Sequence, residues 1–104
     1  MYENKKIGFI GGGMVAEAII RGLILHGHNA AHIYVSDPSE KRRELLSILN
    51  KKLNLEVNNN AIVEQSEIVI MAIKPQVFMS VAEDIKTSQS KKNAMIMSVA
   101  AGID

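Results

Sequence analysis

Short apolar runs alternate with longer segments of helical periodicity along the chain. Runs of strand length, with apolar residues at consecutive positions, predict strands at Lys6–Ile10, His32–Ser36, Leu55–Val57, Glu67–Ile73 and Ala94–Val99. Segments whose apolar residues recur every three or four positions predict helices at Met14–His26, Pro38–Lys52, Ala61–Gln65 and Gln76–Ile85. This βαβαβαβαβ order is typical of a parallel sheet covered by helices.

The connections between the predicted strands define a topology. Because crossovers between parallel strands are right-handed, the simplest arrangement is the strand order 3-2-1-4-5. We therefore expect a Rossmann-type, doubly wound α/β fold with helices on both faces, formed as one domain by residues 1–104. The order reverses beside the first strand, and such sheets bind ligands at the carboxyl ends of the strands at that point.

Local side-chain pairs are predicted on two of the helices. At the start of the second helix, Asp37 would be the N-cap, Pro38 the first helical residue and Glu40 the third residue of a capping box. On the first helix, Glu17 and Arg21 lie four residues apart on the polar side and predict a solvent-facing ion pair.

Composition narrows the range of functions. The formal net charge is +1, so the chain as a whole does not favour a polyanion such as nucleic acid. The absence of cysteine excludes thiolate metal sites and agrees with a reducing compartment. The longest apolar run, Ile68–Ile73, is far shorter than the about 20 residues needed to cross a bilayer. We expect a cytoplasmic protein without a membrane or nucleic-acid partner.

A glycine-rich junction between the first strand and the first helix is the principal candidate for chemistry. Gly11, Gly13 and Ala16 satisfy the pattern G-x-G-x-x-A. In this pattern the first glycine permits a tight turn, the second lets the backbone approach a pyrophosphate, and the alanine lets the helix pack closely on the strand. The free N–H groups of the helix would hold the negative charge. The alternative is a glycine-rich turn with no ligand.

The end of the second strand leaves two cofactors open. Asp37 is well placed to accept hydrogen bonds from an adenosine ribose and would repel a 2′-phosphate, which favours NAD. Capping would instead give Asp37 a structural role, and Ser36, Ser39, Lys41 and Arg42 could together receive a phosphate, which favours NADP. The sequence does not decide between NAD and NADP.

The remaining candidates each have a simple structural alternative. Lys74 follows a buried strand at the predicted ligand edge, where it would face the cofactor or be a solvated strand-end lysine. Asn59 has the same two interpretations, because asparagine also favours turns. His26, His28 and His32 flank the turn on the opposite edge, and we expect them to be solvated turn residues rather than metal ligands.

Four stretches of the sequence match a known family in order and spacing: IGFIGGGMVAEAIIRGL, VSDPSEKRREL, SEIVIMAIKPQ and SVAAGI. Across essentially its whole length, the chain resembles the amino-terminal domain of pyrroline-5-carboxylate reductase. The resemblance implies a domain that binds NAD(P)H, in an enzyme that reduces 1-pyrroline-5-carboxylate to L-proline in the last step of proline synthesis. The family often has Asn-Arg where this chain has Asp37-Pro38.

The resemblance also assigns roles to residues. The pyrophosphate would be wrapped by Ile10, Gly11, Gly12, Gly13, Met14 and Val15. The adenosine ribose would meet Ser36 and Asp37, with Asn59 near the adenosine end. The nicotinamide side would be lined by Ala72, Lys74 and Pro75, and the carboxamide and substrate approached by Ala101 and Gly102. No catalytic or metal-binding residue is assigned.

Family members continue into a helical domain that dimerises and holds most of the substrate site. The resemblance therefore implies a homo-oligomer for the complete protein, and we expect residues 1–104 to bind the dinucleotide without turning over substrate. Two other interpretations remain open. One is a different NAD(P)-dependent reductase, of the hydroxyacid dehydrogenase or imine reductase type. The other is a non-catalytic nucleotide-binding or competence-type paralogue.

Overall fold

The computed structural model of the chain describes residues 5–92 and 94–100. The strands of this described part are β1 (Ile7–Ile10), β2 (Ile33–Ser36), β3 (Asn54–Glu56), β4 (Ile68–Ile73) and β5 (Met95–Ala100). Its helices are α1 (Met14–Leu25), α2 (Glu40–Leu49), α3 (Asn59–Gln65) and α4 (Pro75–Lys92), with a short 3-10 turn at Ala30–His32. Each strand boundary coincides with the predicted one or differs from it by a single residue.

The strands form one parallel sheet in the order β3-β2-β1-β4-β5, which confirms the predicted topology. All residues of the central strand β1 are buried. Phe9 belongs to an apolar cluster with the buried residues of α1 and α2, whereas Ile10 belongs to a second cluster with those of α3 and α4. The helices therefore cover both faces of the sheet, and the carboxyl ends of the strands remain open at one edge.

The predicted start of α2 is wrong. The helix spans Glu40–Leu49 rather than Pro38–Lys52, and its N-cap is Ser39, whose Oγ accepts a hydrogen bond from the Arg42 N–H at 3.2 Å. Asp37 instead accepts a hydrogen bond from the Ser39 N–H at 2.8 Å, in a turn that precedes the helix. Ser39 and Asp37 are equally suitable N-cap residues by type. Asp37 is not the cap because its carboxylate accepts a hydrogen bond from the Gly12 N–H instead.

Two other helices are longer than predicted. Helix α3 begins at Asn59 instead of Ala61, with Asn58 as its N-cap. Helix α4 continues to Lys92, well beyond the predicted end at Ile85. Ile85 is buried, but residues 86–92 contain no apolar residue, so periodicity gives no signal for this last part of the helix.

The predicted environment of one histidine is also wrong. His28 is buried, and its Nε2 lies 3.0 Å from the Lys5 carbonyl oxygen, because the loop after α1 folds back over the start of β1. His26 is exposed, as expected, with its Nδ1 at 2.9 Å from the Gly22 carbonyl oxygen. Residues 5–92 and 94–100 contain no group of three or more His, Cys, Asp or Glu side chains arranged to hold a metal. The same residues include no helix with the length and hydrophobicity that a membrane span requires.

The close packing of α3 on β1 depends on Gly8. A Cβ at this position would overlap the Ser66 Oγ and the Ile62 Cγ2. We therefore expect Gly8→Ala to lower the free energy of unfolding by about 1–3 kcal/mol, the usual cost of overpacking a core. Denaturant titration followed by circular dichroism measures the change.

Gly22→Ala is the matched control, because a Cβ at Gly22 in α1 would meet no atom of the described residues within 4 Å outside the helix's own backbone. Alanine in a helix interior stabilises by about 0.5–1 kcal/mol relative to glycine, so this variant is expected to be more stable than the wild type. If Gly8→Ala were as stable as Gly22→Ala, the close packing at β1 would be contradicted.

Candidate functional site

A cleft of about 670 Å³ lies at the carboxyl ends of β1, β2 and β4, on the predicted ligand edge of the sheet. Most of the predicted site residues line it: Ile10, Gly11, Gly13, Met14, Val15, Ser36, Asp37, Asn59, Ala72 and Lys74. The structure thus brings together residues that are separated by up to 64 positions in the sequence, from Ile10 to Lys74 (74 − 10 = 64).

The turn at the base of the cleft requires glycine at position 11. Gly11 has a φ of +100°, and a Cβ there would overlap the carbonyl oxygen of Ala72 and lie 2.9 Å from the Ile73 Cγ2. Its N–H donates a hydrogen bond of 2.8 Å to the Ser36 carbonyl. Gly11 therefore joins the ends of β1, β2 and β4, as expected for a tight turn at this point.

Gly12 differs from its predicted position, because it is buried and does not line the cleft. A Cβ at Gly12 would lie 2.9 Å from the Leu46 Cδ1 of α2. Its N–H donates to the Asp37 Oδ2 at 2.9 Å, and its carbonyl oxygen accepts from the Arg42 Nε at 2.7 Å. Gly12 anchors the turn to the second strand and second helix.

Gly13 is the N-cap of α1 and leaves the helix terminus accessible. No side chain in the described part of the chain caps this helix, and a Cβ at Gly13 would meet none of those residues' atoms within 4 Å. Met14 and Val15 follow along the cleft wall. The first N–H groups of α1 are therefore free of side-chain partners, and with the helix dipole they form a site for an anion.

A hydrogen-bonded pair forms another part of the wall. The Ser36 hydroxyl is fully buried and donates to the Asn59 Oδ1 at 2.7 Å. This bond fixes the Asn59 amide group, whose NH₂ then remains as a donor at the cleft. On the far side of the cleft, Lys74 is exposed between β4 and α4.

Besides Gly12, three predicted site residues are not part of the described cleft. Pro75 is the exposed first residue of α4 and does not line the cleft. Ala101 and Gly102 lie outside the described residues.

Five residues of the cleft were not predicted from the sequence: Pro38, Ile73, Val77, Ser80 and Val81. Val77 and Val81 share one face of α4 with Ile85, and Val77 is 42% exposed whereas Ile85 is buried. Val77 and Val81 lie in the first turns of α4, next to the strand end, and so form an apolar wall. Their spacing of four residues directly after a strand at the ligand edge is a signal that could have identified them.

Arg42 connects the glycine turn to α1. Its NH2 group donates to the Glu17 Oε1 at 2.8 Å, in addition to the bond from Nε to Gly12. The predicted ion pair of Glu17 with Arg21 is confirmed, at 3.0 Å. The hydrogen bonds from Arg42 and, second, from Arg21 hold the pKa of the Glu17 carboxyl below its ordinary value of 4.5.

The proposed phosphate-receiving group of Ser36, Ser39, Lys41 and Arg42 is not assembled. The Ser36 hydroxyl bonds Asn59, the Ser39 Oγ caps α2, and Arg42 bonds Glu17 and Gly12. Lys41 is exposed and does not line the cleft. Asp37, which directly follows β2, is therefore the charged side chain at this end of the cleft.

Sheet order, glycine turn and cleft define the chain as a Rossmann-type α/β domain. The family model described as "NADP oxidoreductase coenzyme F420-dependent" matches residues 6–102, and the chain belongs to this family.

Similar proteins confirm the resemblance to pyrroline-5-carboxylate reductases. The chain is 36% identical over 101 residues to pyrroline-5-carboxylate reductase of Haemophilus influenzae, covering 97% of this chain and 36% of that protein. The structure of a pyrroline-5-carboxylate reductase from Coxiella burnetii superposes with a TM-score of 0.84 at 28% identity, over 96% of this chain and 37% of that one. Plasmodium falciparum pyrroline carboxylate reductase with NADP bound gives a TM-score of 0.76 at 27% identity, over 94% of this chain and 34% of that one. The chain therefore spans little more than a third of the length of these relatives.

The Glu17 contacts predict a pH-dependent stability. Because the folded-state pKa is lowered, the contribution of Glu17 is fully present above its ordinary value of 4.5 and is lost as the pH falls through the lowered folded value. We expect the wild type to exceed Glu17→Gln in free energy of unfolding by up to about 1 kcal/mol at pH 7, as for a partly exposed ion pair. In acid this difference should disappear.

Urea titrations of both proteins between pH 7 and pH 3 measure this difference. Glu44→Gln, which removes an exposed carboxylate from α2, is the control and should show no comparable loss. If the difference in free energy of unfolding between the wild type and Glu17→Gln stayed constant down to pH 3, the lowered pKa of Glu17 would be contradicted.

Proposed function

We propose that this chain is the dinucleotide-binding domain of a pyrroline-5-carboxylate reductase, which reduces 1-pyrroline-5-carboxylate to L-proline. The observation that carries the proposal is the uncapped amino terminus of α1, which faces the cleft beside a glycine turn. Sequence identity to pyrroline-5-carboxylate reductases over nearly the whole chain supports the choice of substrate.

The cofactor in this proposal is NADPH or NADH, held along the strand ends. The pyrophosphate would lie on the amides of Gly13 to Val15, and Gly13 would allow its close approach. The adenosine ribose would lie at Asp37 and Asn59. Val77 and Val81 offer an apolar wall for a planar ring of the cofactor.

The chemistry in this proposal is that of the cofactor. When bound, NAD(P)H would supply a hydride to the carbon of the C=N bond and leave as NAD(P)⁺, while the nitrogen would take a proton from solvent or from a group outside the described residues. This chain supplies binding and orientation, and we assign no acid among its described residues. Ala101 and Gly102 remain candidates for contact with the nicotinamide and the substrate.

Further expectations concern the complete protein. We propose that it is a cytoplasmic homo-oligomer and that residues 1–104 alone bind the cofactor without reducing the substrate. An assay of the complete protein with 1-pyrroline-5-carboxylate, hydroxyacids and other cyclic imines tests the substrate. Faster turnover of hydroxyacids, or no reduction of any of these compounds, would overturn the proposed reaction.

The binding half of the proposal is tested by Gly13→Ser. Serine is a preferred N-cap, so this variant should be at least as stable as the wild type, while its Cβ and hydroxyl occupy the space and the amides needed by the pyrophosphate. We expect its affinity for the better-bound reduced dinucleotide to fall at least about tenfold, a loss of about 1.4 kcal/mol in calorimetric titration.

Gly22→Ser is the matched control. It makes the same chemical change at an open position in the same helix, and Gly22 does not line the cleft. Its affinity should equal that of the wild type. Equal binding by Gly13→Ser and Gly22→Ser would show that the amino terminus of α1 does not hold the pyrophosphate.

A further inference from the structure

We propose that this site selects NADH over NADPH, and that Asp37 is the residue that makes the selection. The inference rests on the proposed function, because it names which of the two cofactors the same cleft accepts. NADH and NADPH differ only at the 2′ position of the adenosine ribose, where NADPH carries a phosphate. Selection is therefore determined by the groups around the end of β2.

Asp37 is held in one orientation at the cleft. Its Oδ2 accepts from the Gly12 N–H at 2.9 Å and its Oδ1 from the Ser39 N–H at 2.8 Å. These two bonds use about half of the acceptor sites of an ionised carboxylate, so the remaining lone pairs can accept from the two ribose hydroxyls of NADH. A 2′-phosphate has no proton to donate in its dianionic form and would be repelled by the same carboxylate.

Neither Lys41, Arg42 nor Arg43, the basic residues that follow Asp37 in the chain, lines the cleft, and Lys41 is exposed outside it. Arg42 donates to the Gly12 carbonyl and the Glu17 carboxylate, and Arg43 donates to the Asp37 carbonyl oxygen at 2.7 Å. Lys74 is the one basic side chain among the described residues that line the cleft, and it follows β4, which β1 separates from β2. A 2′-phosphate at the end of β2 would thus meet the carboxylate, and no basic side chain of the described cleft lining lies beside it there.

The residues adjacent to Asp37 in the chain offer no replacement donor, and the Asn59 NH₂, which is a donor at the cleft, carries no charge. Pro38 lines the cleft next to Asp37 and has no N–H to donate. The Ser36 hydroxyl is fully buried and donates to Asn59. Charge and hydrogen-bonding capacity at the end of β2 therefore both favour the hydroxyl over the phosphate.

Calorimetric titration of the 104-residue chain with NADH and NADPH tests the inference. We expect NADH to bind at least about tenfold more tightly than NADPH. Asp37→Asn should reduce that ratio to about threefold or less. Pro38→Arg, which adds a guanidinium beside the ribose, should strengthen NADPH binding in particular.

Glu40→Gln is the control for charge. Like Asp37→Asn it removes one negative charge, but Glu40 is an exposed residue of α2 that does not line the cleft. Glu40→Gln should keep the wild-type ratio of NADH affinity to NADPH affinity. Thermal unfolding shows whether Asp37→Asn is folded, and if it is not, the ratios of the wild type and of Pro38→Arg decide.

Equal or tighter binding of NADPH by the wild type would overturn this inference while leaving the proposed function intact. A ratio that changes equally in Asp37→Asn and Glu40→Gln would also overturn it. Failure of both dinucleotides to bind would instead overturn the proposed function itself.

Discussion

The close approach of the turn after β1 to the backbone of β4 is the constraint on which the rest of the site depends. Only a residue without a Cβ fits at Gly11, because its neighbour is the carbonyl oxygen of Ala72, a backbone atom that cannot move aside. The positive φ of Gly11 then directs the chain into α1 so that the helix begins over the strand ends. An anion site is formed there by backbone geometry, before any charged side chain contributes.

A second layer of contacts fixes this turn from outside. The Gly12 N–H and carbonyl are bonded by Asp37 and Arg42, and Arg42 continues to Glu17 on α1. The same residues therefore determine both the position of the turn and the charge of the cleft at the end of β2. This double role explains why Asp37 is not the cap of α2. Its carboxylate bonds the glycine turn, and Ser39 takes over the capping position.

The sequence predicted the architecture because it depends on short-range patterns, whereas the cleft residues Ile10, Met14, Val15 and Ala72 were predicted from the family resemblance. Alternating apolar runs and one glycine motif are sufficient for the strand order and for residues such as Gly11, Gly13 and Asp37. The wrong predictions concern features that tertiary contacts determine. Two caps were chemically possible at the start of α2, and the burial of His28 depends on a loop folding back to Lys5. The apolar wall of the cleft depends on the position of the first turns of α4 next to the end of β4. Gly12 fits the motif pattern, but its neighbour Leu46 lies 34 positions away in the sequence (46 − 12 = 34).

The distribution of charge in the cleft favours a ligand whose neutral part lies at the end of β2 and whose anionic part lies over α1. Asp37 lies at the end of β2, the amide groups of α1 lie over β1, and Lys74 follows β4, so the potential changes from negative to positive across neighbouring strands. A ligand with a neutral diol next to its phosphates matches this order when the diol lies at Asp37 and the phosphates lie over the amino terminus of α1. Because the amides and the Asp37 carboxylate are fixed by the turn and by Arg42, this match requires little reorganisation on binding.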